Sequence, residues 1–84
     1  MKMTGTRGYI DIEHDGKTAR FSGDMCIDGF AAIMSSMRWL PPYENVPVTE
    51  KECLSLMRAV REEVKNSKYK VFFTNDKYED IDFN

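Results

Sequence analysis

The chain has 84 residues, 42% of them hydrophobic and 31% charged, with a formal net charge of −2. That length allows one small core, the apolar content excludes intrinsic disorder, and the absence of a basic excess argues against a nucleic-acid binder, whose affinity comes mainly from neutralising phosphates. The charge is uneven: residues 1–74 hold 11 basic and 10 acidic side chains, whereas residues 75–84 hold Asp76, Glu79, Asp80 and Asp82 against Lys77.

The N-terminal residues carry no apolar run resembling a secretory signal, and no segment approaches the ~20 apolar residues of a membrane span. A cytoplasmic protein with Cys26 and Cys53 both reduced is therefore expected. The first clear element is a hairpin. Asp15-Gly16 suits a two-residue turn with φ > 0 at both positions, and it joins two alternating runs, Arg7 to His14 and Lys17 to Ser22. The turn dictates the register: Ile12 opposite Ala19 and Ile10 opposite Phe21 on one face, Asp11 opposite Arg20 on the other.

Residues 28–40 are ambiguous. Phe30, Ile33, Met34 and Met37 form a helical stripe, yet Asp28-Gly29 is a second hairpin-type turn that would lead into a third strand. The strand is preferred, because a sheet needs more than two strands to be stable. Pro41-Pro42 ends this element and opens a loop carrying Tyr43 and Glu44.

Thr49 and Glu52 have the spacing of a capping box, with Val48 and Cys53 as a hydrophobic staple. Cys53, Leu56, Met57, Val60 and Val64 then line one face of a helix that Asn66 is expected to stop in the αL conformation. Tyr69 to Phe73 reads as the final strand. The expected fold is α+β: an antiparallel sheet of about four strands, in the order β-β-β-α-β, against one amphipathic helix. Residues 1–74 form this domain and residues 75–84 an acidic extension.

The chemical inventory is poor. His14, the only histidine, sits at a hairpin tip, and Cys53 lies on the core face of the helix, where thiols are usually inert. The acidic pairs lack the glycine-bent loop of a calcium site, and Gly5 and Gly8 precede no helix that would cradle phosphate. No enzyme, metal or cofactor is expected. What remains is surface: Trp39, Tyr43 and Tyr78 are residue types that anchor protein interfaces, and Glu44, Asp76, Glu79, Asp80 and Asp82 offer negative charge to a basic partner.

The opening Met1-Lys2-Met3-Thr4-Gly5-Thr6-Arg7-Gly8-Tyr9-Ile10, Gly29-Phe30, Trp39-Leu40-Pro41-Pro42 and Val48-Thr49-Glu50-Lys51-Glu52 together resemble the immunity protein 74 family. The resemblance covers about residues 1–73. It differs in Trp-Leu-Pro-Pro, where the family form is Trp-acid-Pro-Pro, and in the acidic tail. It implies a cytoplasmic bacterial antidote, from contact-dependent inhibition or polymorphic-toxin systems, that binds a cognate toxin domain. It carries over no catalytic or binding residues. The alternative is a small nucleic-acid-binding or regulatory adaptor, with Tyr9 and Phe72 stacking on bases.

Overall fold

In the computed structural model, which describes residues 1–83, the first hairpin has the register its turn dictates. Strands β1 (Lys2–Gly5), β2 (Tyr9–His14), β3 (Lys17–Cys26) and β4 (Gly29–Ile33) are followed by a 3-10 turn (Met34–Ser36) and β5 (Arg38–Trp39). Helix α1 (Glu50–Val64) and strand β6 (Lys70–Thr74) complete the order. Asp15 and Gly16 have φ of 53° and 81°, and Ile12 pairs with Ala19, Ile10 with Phe21 and Asp11 with Arg20.

The α+β class holds, with a larger sheet than expected. Six strands lie in the order β1-β2-β3-β4-β6, with β5 beside β3. The sheet is mixed rather than purely antiparallel, because β6 runs parallel to β4. The long connection through β5 and α1 is the kind of crossover a parallel neighbour requires. Strand β1 carries no alternating signal; only Met3 turns inward against the core.

Residues 29–33 are strand, and the turn before them is shifted by one residue. Cys26 pairs with Gly29, so Ile27 and Asp28 make the bend, and neither has positive φ. Gly29 is needed inside the strand, where a Cβ would overlap the Lys70 carbonyl of β6. Gly23 has the same role on β3, against the Ala31 carbonyl.

One edge of β3 serves both β4 and β5. Gly23 faces Ala32, whereas Arg20 faces Arg38, so the second strand spends three extra residues between those pairs. Ser36 fills the gap: its hydroxyl accepts from the Ser22 amide at 2.8 Å and donates to the Ile33 carbonyl at 2.6 Å.

Helix α1 starts on the expected capping box. The Glu52 amide donates to Thr49 Oγ1 at 3.1 Å and the Thr49 amide to Glu52 Oε1 at 3.3 Å. The expected stop differs. Asn66 does not enter the left-handed region; instead Lys70 Nζ donates to the Val64 and Lys65 carbonyls, both at 2.9 Å. A lysine there satisfies open carbonyls and offsets the negative end of the helix dipole.

The core lies between the helix and one sheet face. Ile10, Ile12, Phe21, Phe30, Trp39, Val71 and Phe73 meet Cys53, Leu56, Met57, Val60 and Val64. Phe21 and Phe73 meet edge to face at 5.3 Å. Full burial of each large side chain contributes about 1.5–3 kcal/mol.

Candidate functional site

The candidate binding residues fall into two groups on opposite flanks of α1. On the first flank, β5 brings Trp39 against the helix and buries it to 8% exposure. Its indole Nε1 is buried without a hydrogen-bond partner among the described residues. Lys17 Nζ sits 5.0 Å from the Trp39 ring and 5.4 Å from the Tyr43 ring, and 3.8 Å from Glu52 Oε2. Trp39 is thus the floor of a hollow of about 340 Å³ that also takes in His14, Lys17, Glu52 and Leu56. Tyr43 and Glu44 are exposed on the loop beyond β5.

The second group is the tail, which folds back on β6. The Asn75 amide donates to the Glu79 carbonyl at 3.0 Å, and Asn75 Oδ1 accepts from the amides of Lys77 and Glu79. Tyr78 takes φ of 60° to close the turn, and its side chain is half exposed. Thr74 bridges Asp80, and the Ile81 amide donates to the Phe73 carbonyl at 3.4 Å. Ile81 and Phe83 pack on the core, with Phe83 edge to face on Phe73 at 5.6 Å and the Arg61 guanidinium 4.6 Å from the Phe83 ring. Asp76, Glu79, Asp80 and Asp82 all remain exposed. Apolar residues inward and carboxylates outward give the tail a fixed negative outer face.

Reading the sequence missed Lys17 beside Trp39, and Met34 and Glu50, which line a hollow next to the tail together with Asp76 and Ile81. Lys17 and Met34 are brought in by sheet pairing between distant segments, which no local pattern announces. Glu50 was visible only as a helix-starting acid.

The sheet face away from the helix holds Tyr9, Asp11, Arg20 and Phe72. Arg20 binds Asp11 through two nitrogens, at 2.7 and 2.9 Å, and its guanidinium lies 3.7 Å from the Tyr9 ring centre. One face of Tyr9 is therefore already covered, which leaves a poor stacking platform for bases.

The thiols and the imidazole are not paired with each other. Cys53 is buried with its Sγ 3.6 Å from Met57 Sδ, and burial, then the Glu50 charge, pushes its pKa up, away from a reactive thiolate. Cys26 is exposed, with the Asp24 carbonyl 3.9 Å away, and His14 lies 3.4 Å from Asp15. Among the described residues no group of three or more His, Cys, Asp or Glu is placed to hold a metal ion, and no helix is long and apolar enough to cross a membrane.

The family model for Immunity protein 74 matches residues 2–74. The chain belongs to the immunity protein 74 family. Membership makes it an immunity protein whose partner is a toxin, and the family is generally non-enzymatic. The matched region ends at Thr74, the last residue of β6, so the loop with Tyr43 and Glu44 lies inside it and the four tail carboxylates outside. No curated protein and no solved structure matches the chain.

Proposed function

We propose that this immunity protein binds the C-terminal domain of a cognate bacterial toxin, a nuclease, and neutralises it by covering the active site without a catalytic step of its own. It does so in the bacterial cytoplasm, within a contact-dependent inhibition or polymorphic-toxin system. The observation that carries the nuclease reading is the tail's outer face. Four carboxylates are held toward solvent by a hydrogen-bonded turn and two apolar anchors. A nuclease cleft is cationic because it grips phosphates, and an ordered acidic surface both steers encounter with such a cleft and occupies the phosphate positions.

The test is co-expression with the toxin reading frame encoded next to this gene. Restored growth, with a complex on size exclusion, is the expected outcome. Continued killing with no complex sinks the proposal.

A further inference from the structure

We infer that the toxin seats in the groove between the 3-10 turn, the first turns of α1 and the tail, and that this groove takes an apolar side chain flanked by lysine or arginine. The inference rests on the toxin-binding reading above and gives it a location. Two hollows of about 430 and 560 Å³ share Met34, Glu50 and Ile81 and so adjoin along those side chains, which makes one groove of them for a partner that covers both. Its apolar surface comes from Met34, Leu54 and Ile81, all only partly buried. Methionine is flexible and polarisable, which suits a floor that must mould to an incoming side chain.

The rim is acidic. Glu50, Asp76 and Asp82 are exposed along it, against one cation, Arg58, at the far end. Glu50 and Asp76 have no ion-pair partner among the described residues. Carboxylates beside an apolar floor lose solvation when a partner covers them, so the matching partner brings basic groups.

Two neighbouring hollows lack this combination, and the one beside Met3 and Met25 carries a single carboxylate, Glu63. Beside Trp39, the carboxylates of Glu52 and Asp15 already face Lys17 and His14. Along the C-terminal half of α1, Lys65 is held by Glu62 and Lys70 by helix carbonyls.

The experiment is titration calorimetry with a catalytically inactive C-terminal domain of the toxin encoded beside this gene, at moderate salt, with a thermal melt of each variant. Leu54→Gln should weaken binding by about tenfold or more, as loss of a central apolar contact does. The double variant Glu50→Gln/Asp76→Asn should also weaken it by about tenfold or more, because it leaves the partner's covered basic groups unpaired. Arg38→Ala, on the opposite sheet face, should bind within about twofold of the unaltered chain. If Leu54→Gln fails to fold, the double variant, altered only at exposed positions, decides the matter. Folded groove variants that bind as tightly as the unaltered chain overturn the groove and leave the toxin reading standing. No binding by the unaltered chain removes both.

Discussion

Glu52 accepts hydrogen bonds from the Thr49 amide and hydroxyl through one oxygen and faces Lys17 with the other. The Thr49 backbone and side-chain bonds, helped by Lys17, hold its carboxyl below the ordinary glutamate range. A folded-state pKa below the unfolded one stabilises the protein at pH values above the unfolded pKa. That contribution is lost as pH falls through the folded value. Urea unfolding across the acid range should therefore show less acid destabilisation in Glu52→Gln than in the unaltered chain. Thr49→Ala should cost about 1 kcal/mol near neutral pH, as N-cap removal does. Equal acid slopes in the two chains would discard the Glu52 assignment. The capping box was legible because all its parts lie within four residues; Lys17 was not, because the hairpin delivers it from far along the chain. In the sequence Trp39 is open to both a core and an interface reading, and its burial follows from pairing with Ala19.

Elements were legible in proportion to how local their causes are. The first hairpin and the start of α1 follow from turn and cap chemistry. Residues 29–37 resembled a helix because a short strand and a 3-10 turn together space Phe30, Ile33, Met34 and Met37 like a helical stripe. The tail's docking depends on β6 having an edge to cover, which only the sheet order reveals. Deleting residues 75–84 removes Ile81 and Phe83 from the core and uncovers that edge. We expect a stability loss of about 2 kcal/mol, since both side chains are only partly buried, together with concentration-dependent association from the bare strand. Chemical denaturation and size exclusion check both, and an unchanged midpoint would show that the tail contributes nothing to folding.

Over the whole molecule, residues 1–74 are nearly charge-balanced and the tail supplies the negative excess. For the proposed cationic toxin, long-range attraction would then originate at one end of the protein. Neutralising Glu79 and Asp80, neither of which lines the groove, should slow association and flatten its salt dependence while leaving dissociation nearly unchanged. Stopped-flow binding at several salt concentrations separates this from the groove variants, whose effect falls on dissociation. A salt dependence equal to that of the unaltered chain would remove Glu79 and Asp80 from steering and leave only Asp76 and Asp82 of the tail, at the groove rim, to act in binding. The three extra residues where β3 passes from β4 to β5 also govern which side chains the helix meets. On β4 the inward residues are even-numbered, Phe30 and Ala32, whereas on β5 the inward residue is Trp39. An odd interruption reverses the alternation. Losing one residue from Met34–Ser36 would therefore turn Arg38 toward the helix and Trp39 to water, whereas losing two would keep the tryptophan inside. Length variation at this point is thus restricted by parity more than by size.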